Sequence, residues 1–268
     1  MPVAPNVVLK LDWAERHLRR FHRHVDRFAA SNYYRFRTEL TADDWHVIYV
    51  DFLLPIPPLL GLILGDFVHN ARSALDQLAF ALVGASGGIP GRHTAFPIYS
   101  SQSDWRTNIS ARDSKRRGKP PTDGMSATAV DLLEKLQPYH SGDLAALTSL
   151  TRLQRLWNAD KHRTINAVIA YLALSGTVSI EIEPEGVALL LNPSITPPGT
   201  RLVHGTEVAR TQILVREDAQ NPAVVTRLQL PLGLMFGEPG HEDIALGSFQ
   251  TMLREVRQIV DLFAPEFE

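Results

Sequence analysis

Two short segments carry polar residues of the kinds that do chemistry, at spacings that gather them on a helix face. The first runs Gly65-Asp66-Phe67-Val68-His69-Asn70-Ala71-Arg72-Ser73-Ala74-Leu75-Asp76-Gln77. At about 100° per residue, Asp66, His69, Asn70, Ser73, Asp76 and Gln77 share one side, with Arg72 flanking beside Asp76. A merely solvated helix face favours Glu, Lys, Gln and Arg, which are good helix formers. Asp, His, Asn and Ser instead compete for backbone hydrogen bonds and weaken a helix. Their use here makes sense if their side chains bond specific partners, structural or chemical.

The second segment is Arg155-Leu156-Trp157-Asn158-Ala159-Asp160-Lys161-His162-Arg163. Read as part of a long helix, it places Leu147, Leu150, Leu153, Trp157, Ile165, Val168 and Leu172 on the apolar side. Arg155, Asn158 and His162 line the edge of that side. Lys161 falls within the apolar arc, where it must snorkel or meet an acid such as Asp66 or Asp76. His162 or His69 could serve as a general acid or base near neutral pH. Arg155, Lys161, Arg163 or Arg72 could stabilise developing negative charge, and Asp76 or Asp160 could orient a histidine. A lone His162 is more often a satisfied core histidine; two facing polar stripes strengthen the chemical reading.

The elements that must position these groups follow from periodicity. Residues 8–30 read as a helix, with Leu11, Ala14, Leu18, Phe21, Val25 and Phe28 on one side. Its other side carries Arg16, Arg19, Arg20, Arg23 and Arg27 with His17, His22 and His24, either a solvated basic face or a phosphate-attracting one. Residues 45–53 alternate as a strand, and Pro55-Ile56-Pro57-Pro58 ends it and opens a helix over 59–84. Residues 85–125 look irregular and contain a basic loop, Arg112, Lys115, Arg116, Arg117 and Lys119, a candidate nucleic-acid contact. Short and long helices are expected at 126–137 and 143–173, capped by Ser126 and Asp143, the second stopped by Gly176. Strands follow within 177–236, with Pro184-Glu185-Gly186 turning one strand back on the next. A last helix covers 242–263. The expected fold is α+β and a single domain: a four-helix-type bundle with a small, mostly antiparallel sheet made of one early strand and several before the last helix.

Composition bounds the function. The chain has 268 residues, no cysteine, ten histidines and a formal net charge of −2. This excludes a disulfide scaffold, a cysteine nucleophile and a cysteine-built zinc site. Phe52 to Gly65, the most apolar run, is broken by prolines and too short to span a bilayer. The first residues lack a secretory pattern, so a cytoplasmic location without membrane contact is expected. There is no GxGxxG, P-loop or GxSxG segment, and no cofactor or resident metal is expected.

The first segment, with Phe96-Pro97-Ile98, Leu136-Gln137-Pro138-Tyr139 and Asn158-x-Asp160-Lys161-His162-Arg163, resembles a large family of bacterial proteins of uncharacterised activity. Where that family has a histidine after the aspartate of its first motif, this chain has Gln77. The Phe96 and Leu136 motifs read as packing and turn signals, with Tyr139 able to reach a polar cleft. Arg155 and His162 also resemble, more distantly, the Arg–His pair of HEPN domains, helical bundles that include metal-independent ribonucleases. That resemblance implies RNA as a partner and a homodimer; here Leu156 stands where a polar residue commonly follows the Arg. Three functions are open. The residues favour a binding or interaction module with a polar cleft between the 59–84 and 143–173 helices, partnered by RNA or protein. A HEPN-like endoribonuclease of a defence or toxin type is the alternative. A metal-dependent hydrolase, suggested by the Asp66-x-x-His69 spacing, is the third, though Lys161 and Arg163 would repel a cation.

Overall fold

The computed structural model describes residues 4–110, 118–162, 166–172, 177–183, 188–197, 200–215, 223–229, 232–237 and 244–268. For residues 110, 162, 166–172, 177–183, 188–189, 215, 223–229 and 237 only the backbone is described. The fold is α+β, and it divides into two compact units. A helical unit comprises Met1–His24, Pro58–Asn166 and Gly237–Glu268; a strand unit comprises Val25–Pro57 and Ala167–Phe236. No helix among the described residues is long and apolar enough to cross a membrane.

Helix α1 (Pro5–Ala29) buries Val7, Leu11, Ala14, Leu18, Phe21, Val25 and Phe28, the expected stripe extended by one turn. Its five arginines are exposed, as a solvated face requires. Helix α2 (Leu59–Ala85) buries residues on most of its circumference, including Leu60, Leu64, Phe67, Ala71, Leu75 and Leu82. It packs against α5 (Ser149–His162) and α6 (Leu246–Leu262), and those two pack on each other. Gly87, at φ +75°, follows the end of α2, a backbone state a side chain would strain. Between α2 and α5 lie a short helix α3 (Gln102–Trp105) and α4 (Ala127–Lys135), whose N-cap is Ser126 as expected.

Among the described residues, the range 143–173, expected as one helix, holds three elements instead. A 3₁₀ segment covers Pro138–Leu147, α5 covers Ser149–His162, and strand β3 covers Asn166–Leu172. Thr148, not Asp143, caps α5: its Oγ1 accepts from the Thr151 N–H at 3.3 Å. Val168, Ile169 and Tyr171 prefer the pleated conformation, and a short apolar run satisfies helical and strand periods alike. Val168 and Leu172 therefore do not extend an apolar helix face, Ile165 lies outside the described residues, and α5 buries Leu150, Leu153, Leu156 and Ala159.

The sheet begins with two early strands rather than one. β1 (Tyr34–Leu40) and β2 (Trp45–Phe52) form a hairpin, followed in the order β1-β2-β6-β5 by β6 (Thr206–Val215) and β5 (Ala188–Ile195), each pair antiparallel. The alternation Tyr34-Arg35-Phe36-Arg37 is a strand pattern that the expected fold passed over. Ile48, Val50, Leu202, Val208 and Ala209 form the core of this unit, flanked by Tyr34, Phe36, Phe52 and Leu232. β4 (Thr177–Glu183) pairs with β7 (Ala223–Gln229), and β8 (Leu232–Gly237) lies beside β3. β5 thus pairs with β6 and not with β4, so the expected 184–186 hairpin does not form; the turn itself lies outside the described residues. A two-residue strand β9 (Ile244–Ala245) leads into α6.

Candidate functional site

The polar stripe of α2 divides into two halves with different fates. In the C-terminal half, Arg72 is buried and each of its three nitrogens donates a hydrogen bond. Its Nε donates to Gln154 Oε1 at 2.9 Å, Nη1 to Asp76 Oδ1 at 2.6 Å, and Nη2 to the Phe96 carbonyl at 2.9 Å. Asp76 Oδ1 also accepts from the Phe96 N–H at 3.1 Å. The Arg72–Asp76 pair therefore grips both backbone polar groups of one residue. Burial lowers the Arg72 pKa and the Asp76 carboxylate opposes that shift, so the guanidinium remains a charged donor. Gln154 passes the network on by donating to Asn158 Oδ1 at 3.2 Å.

The same loop is held from its other side by Gln137. Its buried amide donates to the Pro97 carbonyl at 3.0 Å and the Leu133 carbonyl at 2.8 Å, and accepts from Tyr99 N–H at 2.9 Å. The Phe96 and Leu136 motifs thus belong to one device with Arg72 and Asp76: a clamp on residues 96–99. Gln137 and Gln154 are not legible as site residues in the sequence, because an amide carries no signal until its partners are known. Tyr139 does not reach a polar cleft; its hydroxyl donates to Glu134 Oε1 at 3.2 Å.

The N-terminal half of the stripe meets α1 and α5. Asp160 of α5 lies against α2 at Gly65, where an added Cβ would sit 2.4 Å from Asp160 Oδ1. Only glycine lets the carboxylate rest there. Burial pushes the Asp160 carboxyl above its ordinary value; His69 opposes the shift and the Asp66 charge adds to it. His17 Nδ1 of α1 lies 3.5 Å from Asp66 Oδ2. Asn70 Nδ2 donates to the Asp66 carbonyl at 2.8 Å, and Lys10 Nζ donates to Asn70 Oδ1 at 3.3 Å. Asp66, His69 and Asp160 are exposed. His17 belongs by sequence to the basic face of α1; its place beside Asp66 depends on helix packing, which leaves no mark in the sequence.

The remaining candidates separate. Lys161 does not meet Asp66 or Asp76. It is exposed, with Nζ 3.8 Å from the centroid of the Trp157 ring, a cation–π contact that also receives Arg72 at 5.3 Å. Asn158 is exposed, and Arg155, Ser73 and Gln77 are half-buried. Gln77 Oε1 is enclosed and accepts no hydrogen bond among the described residues. Lys119 donates to Asp123 Oδ2 at 2.8 Å, which neutralises its charge locally. The His162 side chain and residues Arg163, Arg112, Lys115, Arg116 and Arg117 lie outside the described residues.

Among the described residues, no three histidine or acidic side chains gather closely enough to hold a metal ion. The arrangement that does exist is a pair of carboxylates with a histidine beside each. That presents two carboxylates as hydrogen-bond acceptors, with the Lys10 ammonium nearby on Asn70 and Trp13 adjacent to His17 at 5.9 Å between ring centroids. Comparison with family models, with curated proteins and with solved structures gave no match.

Proposed function

We propose that the chain is a cytoplasmic binding module whose recognition site is the end of the α2 stripe that α5 and α1 approach. Asp66 and Asp160 are its acceptors, and His17 and His69 are their neighbours. The arrangement of α1, α2, α5 and α6 is read as a four-helix bundle that holds these groups. The observation that carries the proposal is Asp160 resting on Gly65. A carboxylate kept at a partly desolvated position, near a second carboxylate, is unfavourable on its own and is relieved by a cation. The ligand is accordingly a cationic group, such as an arginine or lysine side chain of a partner.

RNA cleavage has less support among the described residues. Arg72, a cation needed at the phosphorane, is committed to Asp76, Gln154 and Phe96. The Asp160 carboxylate beside His69, with the Asp66 charge near it, would repel a phosphate. The Arg72–Asp76 half of the stripe is accounted for as loop support.

The test is titration with an arginine-rich peptide and its citrulline counterpart, which keeps the shape and loses the charge. Ring-proton shifts of His17 and His69 should move with the arginine peptide only. The Asp66→Asn/Asp160→Asn variant, checked to melt like the parent, should lose the response. Equal responses to both peptides, or a response undiminished in the variant, would overturn the proposal.

A further inference from the structure

The four-stranded sheet ends on two unlike edges. The β5 edge is blunted. Pro193 has no N–H to offer, Asn192 sits at φ +50°, and the register with β6 breaks between Leu191 and Ser194. The β1 edge has none of these devices. Its register with β2 is unbroken from Tyr34↔Phe52 to Leu40↔His46, and among the described residues no strand pairs with its outer side. Such an edge is a template for another strand.

The geometry shows which groups it offers. Leu53 N–H donates to the Tyr33 carbonyl, and Thr41 N–H to the Trp45 carbonyl, each at 2.8 Å. Odd-numbered residues therefore spend their backbone groups on β2, and Tyr34, Phe36, Thr38 and Leu40 turn theirs outward. The strand is complementary to itself in one register. Antiparallel about a twofold axis at Arg37, all of Tyr34–Leu40 is paired: Tyr34 opposite Leu40, Arg35 opposite Glu39, Phe36 opposite Thr38. This register keeps every outward residue hydrogen-bonded. It also puts Arg35 and Glu39 at non-hydrogen-bonded positions, where side chains approach most closely. Both are exposed, with side chains 63% and 53% accessible. The two Arg37 side chains meet at the axis, each over the Tyr49 ring at 4.7 Å, 3.3 Å from Asp51 and paired with Glu39 of its own strand. Arg35 reaches Asp51 at 3.4 Å, so the cross-strand Arg35–Glu39 pairs add to contacts that both side chains already make. Leu40, 63% exposed, gains Tyr34 of the other copy as cover.

We propose that β1 is a homodimerisation edge. A second copy of this chain adds its own β1 in antiparallel register about Arg37, continuing the sheet across both copies, and two Arg35–Glu39 pairs fix the alignment. The device belongs to the strand unit and is independent of the carboxylate site.

Sedimentation equilibrium of the full chain over a range of concentrations tests it. The parent should approach twice the monomer mass as concentration rises. Arg35→Glu and Glu39→Arg each make both cross-strand pairs repulsive and should weaken the dimer about tenfold. Mixed together, the two variants should form a heterodimer. In it the two acids at one variant's positions 35 and 39 face the two bases at the same positions of the other. Thr38→Pro removes an outward N–H without touching the β1–β2 ladder, and it should abolish the dimer while the thermal melt persists. This variant and Glu39→Arg carry the test if Arg35→Glu fails to fold. A parent that stays monomeric throughout would overturn the proposal. So would a dimer indifferent to Glu39→Arg and Thr38→Pro, or folded single variants that do not associate when mixed.

Discussion

At the residue scale, similar side chains in one stripe serve opposite ends. Asp76 is matched: its Oδ1 accepts from a guanidinium and from a backbone N–H, and removing the carboxylate would take a partner from buried Arg72 and from the Phe96 N–H. Asp160 is unmatched, partly desolvated over Gly65 and close enough to Asp66 to feel its charge. Because its folded pKa lies above the unfolded value, ionising Asp160 costs more in the folded state. Its contribution to stability is fully present below the ordinary value near 3.8 and is lost as pH rises through the elevated folded value. Asp160→Asn removes that cost. The variant should be at least as stable as the parent at neutral pH in urea denaturation, and its advantage should shrink as pH falls through the carboxylate range. A variant that is much less stable at neutral pH would show that Asp160 is a structural partner and not a binding group.

At the element scale, the irregular stretch after α2 is ordered by side chains and not by a ladder. The Phe96 N–H and carbonyl, the Pro97 carbonyl and the Tyr99 N–H are answered by Arg72, Asp76 and Gln137, which come from α2 and from the turn after α4. A loop with no regular structure of its own needs such partners if its buried polar groups are to be satisfied. Gln137→Leu keeps the volume and deletes the donors and acceptor, orphaning Tyr99 N–H and the Pro97 carbonyl. Each unsatisfied group costs about 1–3 kcal/mol, so the urea midpoint should fall markedly. Protection of the Tyr99 amide in hydrogen exchange should be lost first. Retention of that protection would mean the loop is held by packing instead.

At the scale of the whole molecule, the chain crosses between its two units more than once, since each unit is assembled from separated segments. The strand unit depends on a small core. Ile48 is fully buried among Val50, Leu202, Val208 and Ala209. Ile48→Ala should cost about 2–5 kcal/mol, because the site leaves a cavity the surrounding strands cannot close. Faster amide exchange in β1, β2 and β6 would register it; unchanged exchange there would place the stability of this unit elsewhere.

Much of this is readable from residue order alone. The 3.6-residue period of α1, α2 and α6, the Ser126 cap and the alternation of Trp45–Phe52 are local properties, and they specify local structure. The α+β class follows from them. Asn166–Leu172 reads as helix by sequence and is a strand, because its apolar residues fit both periods and only pairing decides between them. The two halves of the α2 stripe look alike in sequence, since both use short polar residues at helical spacing. Which half is spent on holding a loop and which remains open is decided by what packs opposite: Phe96 and Gln154 on one, Asp160, His17 and open solvent on the other. Sequence determines which groups share a face, because that is a matter of dihedral angles repeated along the chain. Whether those groups are satisfied depends on partners many residues away, and that is decided only when the elements pack.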